Sequence, residues 1–187
     1  MIRLSLTDRL IDELPTRLVV ASFFEDLRPL KGQVGLLDWR LNGRLSELIL
    51  KGKLEGKRGE ALMMPSARRI AAQEILLFGL GRSGELTEGQ LEELFGQIVE
   101  KIRRLKTNEC GISFGDLARD FMGWRSLLRS FVNCLAQRSG EEDFHLICSE
   151  EGRWIEEARR RNMDFGPLVS LRYDESPEIS GVKSDVA

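Results

Sequence analysis

The residues best placed to bind a ligand form a glycine-rich segment near the middle of the chain. Gly79, Gly81, Arg82, Ser83 and Gly84 belong to Gly-Leu-Gly-Arg-Ser-Gly, which matches G-x-G-x-x-G between an apolar run and an amphipathic run. Glycines in such a turn let backbone N–H groups approach a phosphate, and a helix beginning after the turn favours negative charge. The sequence therefore predicts a ligand-binding loop, with ADP-ribose or another nucleotide as the candidate ligand.

Two features oppose a dinucleotide site at this loop. Glu85 and Glu88 place carboxylates where the charge of a phosphate would lie. The acidic residue expected about 20 positions beyond the glycines is also not at that spacing, since Glu109 lies 25 positions after Gly84. A tight strand-to-helix turn without a ligand is the alternative interpretation, and an NAD site is not expected.

The single histidine and the three cysteines predict structural roles. His145 lies in a short apolar run, and no serine or cysteine nucleophile motif accompanies it. Cys148 follows three residues later, so the two side chains should lie on opposite faces of one strand. With Cys110 and Cys134 the thiols are odd in number and form no C-x-x-C pair, which favours buried reduced thiols. We expect no metal site and no cofactor.

Two further segments have alternative interpretations. Residues 51–60 (KGKLEGKRGE) predict an exposed turn, with an anion-binding loop as the alternative. Arg159, Arg160 and Arg161 end a predicted helix, where they complement the helix dipole, and phosphate binding is the alternative.

Composition favours one globular domain with a balanced charge. The chain has 187 residues, of which 42% are hydrophobic, and its 28 basic and 30 acidic side chains give a net charge of −2. This balance excludes a polycationic nucleic-acid binder. No apolar run approaches the roughly 20 residues that span a bilayer, and no secretory signal begins the sequence, so we expect a cytoplasmic protein.

Hydrophobic periodicity predicts strands that alternate with helices. Such an order is typical of an α/β fold with a largely parallel sheet and helices on both faces. The first two strands have no helix between them, which predicts a mixed sheet. Thr87 and Gln90 have the spacing of a capping box at the start of a helix. Strands are expected at residues 2–6, 18–24, 61–64, 74–80, 110–114, 144–148 and 168–173, and helices at 35–50, 87–105, 124–135 (ending near Gly140) and through 154–158.

The chain divides into a domain and a tail. Residues 1–173 carry all of the periodic segments, whereas residues 174–187 combine scattered charges, Pro177 and Gly181 with few large apolar residues. Such a segment cannot bury enough surface to offset the entropy of ordering it. We expect a flexible C-terminal tail.

The segment from residue 24 to residue 81 resembles a known family. L-D-W-R-L-N-G-x-L-S stands at 37–46, G-K-x-G-E at 56–60, and a strand ends in G-L-G at 79–81. This pattern is similar to the N-terminal domain of the leucyl aminopeptidase family, peptidase family M17. The resemblance extends over about residues 1–173.

This resemblance implies a three-layer αβα sandwich related to macro domains. In the family, a larger C-terminal domain follows, which binds two metal ions through carboxylates and a lysine and makes the central contacts of a hexamer. Neither N-T-D-A-E-G-R nor D-S-G-G, the metal-binding signatures of that domain, occurs here. Glu151-Gly152-Arg153 matches only the end of the first signature and is interpreted as a first helical turn.

Three functional hypotheses remain open. The first is a stand-alone, non-catalytic module for binding, assembly or regulation, acting as a homo-oligomer or with an aminopeptidase partner. A charge asymmetry is compatible with self-association, because residues 1–84 carry fourteen basic and ten acidic groups, whereas residues 85–187 carry fourteen and twenty. The second is a macro-like nucleotide or ADP-ribose pocket. The third is an accessory chain of an aminopeptidase whose catalytic domain is separate. A membrane or nucleic-acid partner is not expected.

Overall fold

A single seven-stranded sheet forms the centre of the protein. The computed structural model describes residues 1–138 and 143–174. The strand order is β3-β4-β2-β5-β6-β1-β7. The strands are β1 (Ile2–Thr7), β2 (Leu18–Phe23), β3 (Ala61–Pro65), β4 (Glu74–Gly79), β5 (Glu109–Ile112), β6 (Phe144–Ser149) and β7 (Val169–Asp174).

The sheet is parallel except at one edge. β1 lies between β6 and β7 and is parallel to both, and β2 lies between β4 and β5 in the same sense. Of the strands described, β3 alone runs antiparallel, and it pairs with β4. The expected mixed, largely parallel sheet is confirmed, but the reason given for it was wrong. The opening strands β1 and β2 are not neighbours, since β5 and β6 separate them.

Helices cover the sheet on both faces. α3, α4, α5 and α6 pack over one core, where the rings of Phe95, Phe114 and Phe131 lie 5.2–5.8 Å apart. α1 and α2 cover the second core, around Leu37 and Leu45. This is the expected αβα sandwich. The helices are α1 (Gly32–Arg40), α2 (Arg44–Leu50), α3 (Glu88–Arg104), α4 (Gly115–Asp120), α5 (Trp124–Arg138) and α6 (Gly152–Arg160).

The single helix expected over residues 35–50 is two helices. The helix is interrupted at Gly43, whose φ of 74° is left-handed, and α2 begins at Arg44. The buried carboxylate of Asp38 holds this break, since its Oδ1 accepts the amide N–H groups of Leu45 at 2.7 Å and Ser46 at 3.1 Å. Both helices bury their apolar residues in the same core. The helical spacing of apolar residues therefore continues through the break, and the sequence pattern does not reveal it.

Helix α4 was not expected. It has six residues, and so short a segment gives no periodic signal. It follows β5 directly and brings Asp116 and Arg119 to the carboxyl end of the sheet.

The C-terminal boundary is only partly described. Asp174, expected to begin the tail, is the last residue of β7. The rest of that tail, residues 175–187, lies outside the described residues, as does Gly140. Among the residues described, no helix is long and apolar enough to cross a membrane.

The predicted capping box at the start of α3 is confirmed and gives a stability test. Thr87 Oγ1 accepts the N–H of Gln90 at 3.3 Å, and Gln90 Oε1 accepts the N–H of Thr87 at 3.0 Å. Thr87→Ala should therefore lower the free energy of unfolding by about 1 kcal/mol in urea titrations. Thr87→Ser keeps the hydroxyl and should stay close to the wild type. Equal losses in both variants would contradict the capping role.

Candidate functional site

A cleft opens at the carboxyl ends of β2 and β5. These strands are parallel neighbours, with Val20 paired to Ile112. After β2 the chain continues to β3 and β4, which lie on one side of this strand pair in the sheet. After β5 it continues to β6, which lies on the opposite side of the pair. In open α/β sheets, ligands bind at such a reversal of strand order, outside the carboxyl ends of the strands. A cavity of about 380 Å³ lies at this place.

Both apolar and polar side chains line the cleft. Val20, Phe23, Leu30, Val34 and Leu117 are among the apolar lining residues. This combination is typical of small-molecule sites. The polar lining residues are Ser22, Asp26, Arg28, Lys31, Gln33, Ser113, Asp116 and Arg119.

A carboxylate from α4 lies on the first turn of α1. Asp116 Oδ2 accepts the backbone N–H of Gln33 at 2.8 Å. Gly32 makes room for it, because a Cβ at that position would lie 2.1 Å from the carboxylate, and the φ of Gly32 is +59°. The N-terminus of a helix attracts negative charge, so this contact is electrostatically favourable. It joins the two elements that flank the cleft.

The loop that leads from β2 to α1 is held by an arginine. The Arg28 guanidinium donates to the carbonyl oxygens of Phe24 at 2.6 Å, Leu27 at 2.8 Å and Glu55 at 2.7 Å. Its donors are therefore largely used within the protein. Lys31, also at the edge of the cleft, has no ion pair among the described residues, so its ammonium group is available to a ligand.

The glycine loop at residues 79–84 forms a wall beside the cleft. The amides of Gly79 and Gly81 donate to the carbonyl oxygens of Glu60 at 2.8 Å and Gly56 at 2.9 Å. The N–H groups that a phosphate would need at these two glycines are thus already bonded. Of residues 79–84, Leu80 lines the cleft.

The outer part of the same loop is tied to the cleft through Asp26. Its carboxylate accepts the backbone N–H and the hydroxyl of Ser83, each at 2.9 Å. These two hydrogen bonds hold the pKa of Asp26 below its usual range, and the bond from the backbone N–H has the larger effect. Arg82 Nε lies 3.8 Å from Glu85, and Gly84 has open space around it. Ligand binding by Gly79, Gly81, Arg82, Ser83 and Gly84 stays a prediction.

The turn at residues 51–60 binds an anion that the chain itself supplies. Glu60 Oε2 accepts the N–H groups of Glu55 at 3.0 Å, Gly56 at 2.6 Å and Lys57 at 3.2 Å. Three convergent amides are the geometry of an anion site, here filled by an internal carboxylate. The segment is a turn, as expected, but it is only partly exposed, because Leu54 is 1% exposed and packs in the second core.

A buried acid lies behind the cleft. Glu150 is 4% exposed, and its Oε1 accepts the N–H of Phe114 at 2.6 Å, in the loop between β5 and α4. Burial raises the pKa of Glu150 to about 8, because the charged form loses its hydration. The bond from the N–H of Phe114 favours the charged form and offsets only part of this effect.

His145 and Cys148 lie on opposite faces of β6, as expected. Cys148 is fully buried in the first core, whereas His145 is half-buried and its Nε2 is 2.9 Å from Ser5 Oγ. Burial lowers the pKa of His145. Ser5 is 2% exposed in the middle of β1, so a substrate cannot reach its hydroxyl.

Charged residues at both ends of α6 form ion pairs within the protein. Arg159 and Arg160 lie in its last turn, and Arg161 Nε is 3.3 Å from Glu157. Glu151, the N-cap residue of α6, accepts a hydrogen bond from Arg119 of α4, and this bond lowers the pKa of Glu151. In residues 1–138 and 143–174, no three His, Cys, Asp or Glu side chains are grouped as metal ligands would be.

Comparison with known proteins identifies the family. Residues 19–132 match the N-terminal domain of the cytosol aminopeptidase family. The chain belongs to this family. A probable cytosol aminopeptidase of Pseudomonas syringae pv. tomato is 30% identical over 125 residues, which are 67% of this chain and 25% of that protein. The chain thus matches about a quarter of the length of this curated relative.

Solved structures place the same fold in macrodomains and in an aminopeptidase. A macro domain of ganglioside induced differentiation associated protein 2 has a TM-score of 0.69 at 14% identity, over 89% of this chain and 85% of that chain. A mutant of tomato leucine aminopeptidase has a TM-score of 0.60 at 16% identity, over 86% and 35%. The Oceanobacillus iheyensis macrodomain with ADP has a TM-score of 0.63 at 14% identity, over 82% and 85%. The macro-like fold implied by the resemblance is confirmed.

Gly79 and Gly84, two members of one predicted loop, should respond differently to alanine. A Cβ at Gly79 would lie 2.2 Å from the carbonyl oxygen of Lys57 and 2.6 Å from the backbone of Gly56, whereas one at Gly84 meets nothing within 4 Å. Gly79→Ala should lower the free energy of unfolding by about 2–3 kcal/mol. Gly84→Ala should change it by less than about 0.5 kcal/mol. Similar urea midpoints for both variants would contradict the packing of β4 against this turn.

Glu150 should make stability depend on pH. Its folded-state pKa of about 8 exceeds its ordinary value of 4.5, so the folded protein binds more protons than the unfolded chain between these values. Stability should therefore fall as pH rises through this window, by at most about 1.4 kcal/mol per pH unit. Urea unfolding between about pH 5.5 and 8.5 measures the slope.

Glu150→Gln should remove that slope, since a neutral amide can still accept the N–H of Phe114. Glu93→Gln, at an exposed position of α3, is the matched control and should keep the wild-type slope. A wild-type protein whose stability rises from pH 5.5 to 8.5 in parallel with Glu150→Gln would refute the role of Glu150.

Proposed function

We propose that this domain is a non-catalytic binding module whose cleft receives a small phosphate-bearing ligand of the ADP-ribose class. The observation that carries the proposal is the cleft between β2 and β5, with the first turn of α1 and Lys31 at its edge. Its volume of about 380 Å³ falls within the roughly 300–1,000 Å³ usual for small-molecule pockets. The amide of Gln33 already holds an anion there, the carboxylate of Asp116.

The fold neighbours support a nucleotide as the ligand. The Oceanobacillus iheyensis macrodomain has been solved with ADP, and a mutant of it with ADPR. In this chain the base and sugar would meet the apolar walls, and the phosphates would meet Lys31 and the start of α1. The predicted loop at residues 79–84 would contribute its outer edge, where Ser83 is bonded to Asp26.

Family membership supports a second role beside ligand binding. The matched region is 25% of one probable cytosol aminopeptidase and 21% of another. We propose that peptidase chemistry belongs to a separate domain or chain. This module would bind that domain or chain in the cytoplasm, or would regulate it by forming a homo-oligomer. Native mass spectrometry with the catalytic domain of a family member tests this role. A strictly monomeric protein that forms no such complex contradicts it.

Ligand binding is tested by titrating the wild-type protein with ADP-ribose in a calorimeter. We expect saturable binding below about 1 mM, weakened roughly two- to fivefold by Lys31→Ala because one cation at the edge of the cleft is removed. Lys53→Ala is the matched control, since Lys53 is exposed and does not line the cleft.

Two results would contradict the nucleotide assignment. The first is the absence of saturable binding of ADP-ribose or ADP at millimolar concentration. The second is binding that Lys31→Ala and Lys53→Ala weaken equally, because the loss would then reflect overall charge rather than the cleft.

A further inference from the structure

The contact between Asp116 and α1 is single and partly exposed. One backbone N–H, that of Gln33, reaches the carboxylate, and the Asp116 side chain is 40% exposed. Two titratable groups interact with it: Arg119, whose Nη1 lies 3.9 Å away, and Glu150, whose pKa is raised first by burial and also by the Asp116 charge. Little therefore opposes the departure of this carboxylate from the cleft.

Two other carboxylates on backbone amides, those of Glu60 and Asp38, accept more N–H groups than Asp116 does. Glu60 accepts three N–H groups from residues 55–57 in its own turn. Asp38 accepts two N–H groups and the Ser46 hydroxyl, the latter at 2.5 Å, within eight residues of its own position. Removing either carboxylate would leave two or three backbone N–H groups without this acceptor. Asp116 instead joins two elements 83 residues apart, so the contact can break while each helix keeps its own hydrogen bonds.

Two neighbouring groups in the cleft have unused bonding capacity. Gln33 lines the cleft, and its buried Oε1 has no hydrogen-bond partner in the described structure. Lys31 also lines it and forms no ion pair with the described residues. The exposed ammonium group of Lys31 suits a ligand phosphate, whereas Gln33 Oε1 is buried and would have to turn into the cleft to accept a ligand hydroxyl.

We propose that Asp116 sets the affinity of the cleft for anions. Its carboxylate occupies the position that the phosphate of a ligand would take, so the carboxylate must move away when the phosphate binds. The inference rests on the cleft of the proposed function and adds the residue that regulates it. Phosphate and carboxylate compete for the same amide and the same positive end of α1. Their like charges exclude simultaneous occupancy at this short range.

Arg119 favours the replacement of the Asp116 carboxylate by a ligand phosphate. It lines the cleft and contacts both Asp116 and Glu151. When Asp116 withdraws, Glu151 continues to hold the guanidinium at the wall of the cleft. The incoming phosphate then meets this cation together with Lys31.

The test compares wild type, Asp116→Asn and Asp164→Asn by calorimetry with two probes, inorganic pyrophosphate and ADP-ribose. Asparagine at 116 can still accept the Gln33 N–H but removes the competing charge, so pyrophosphate affinity should rise about tenfold or more. Asp164 is the matched control, because it is exposed, accepts one backbone N–H (Gly166, 2.8 Å) and does not line the cleft. Its asparagine variant should bind as the wild type does.

A second measurement needs no variant. In ¹⁵N-labelled wild type, saturation with pyrophosphate should shift the amide resonance of Gln33, whose acceptor changes from carboxylate to phosphate. If Asp116→Asn does not fold, this resonance decides the question. An unmoved Gln33 amide at saturation overturns the proposal.

The two probes separate this proposal from the nucleotide assignment. Tighter pyrophosphate binding by Asp116→Asn, with no ADP-ribose binding by any variant, supports the role of Asp116 and overturns the nucleotide. Equal ADP-ribose binding by wild type and Asp116→Asn supports the nucleotide and overturns the role of Asp116. No binding of either probe to either protein overturns both.

Discussion

Backbone N–H groups at turns and helix starts must find acceptors, and in this domain carboxylates meet that requirement repeatedly. Asp38 holds the start of α2, Glu60 holds the turn before β3, and Asp116 holds the start of α1. Glu150 does the same for the loop after β5. A buried amide without a partner costs about as much as a lost hydrogen bond, so these acids fix the loop geometry that closes the sandwich.

The same requirement shapes the cleft. Loops that follow parallel strands leave N–H groups pointing outward at the carboxyl edge of the sheet, and these groups are the usual receptors for phosphate. Here the N–H groups of Gly79 and Gly81 donate to backbone carbonyl oxygens, whereas the N–H of Gln33 donates to a side-chain carboxylate, that of Asp116. The difference between a structural turn and a ligand site therefore depends on where the acceptor comes from, rather than on the glycine pattern.

Much of the fold was predictable because its signals are local. The cap of α3, the seven strands and the alternation of strands with helices follow from spacing that each segment carries itself. The break at Gly43 and the helix α4 were missed, since one preserves the apolar period and the other is too short to show any. The cleft was beyond sequence reasoning for a related reason. Asp116 and Gln33 are 83 residues apart, and neither lies in a recognisable pattern. Residue types and spacing indicated a candidate loop at residues 79–84, but they did not indicate the side chains that line the cavity.

The position of β1 has a consequence for how the chain reaches this structure. Of the described strands, β1 is synthesised first, and it pairs with β6 and β7, which are synthesised last. Until residues 144–174 are made, β1 has neither of these partners, and its apolar face has no complete core. Such long-range pairing slows folding, because the entropy of closing the loop is lost before the contacts form. Of the two halves of the sheet, the one around β2 and β4 can form early, and the half that contains β1 is completed last.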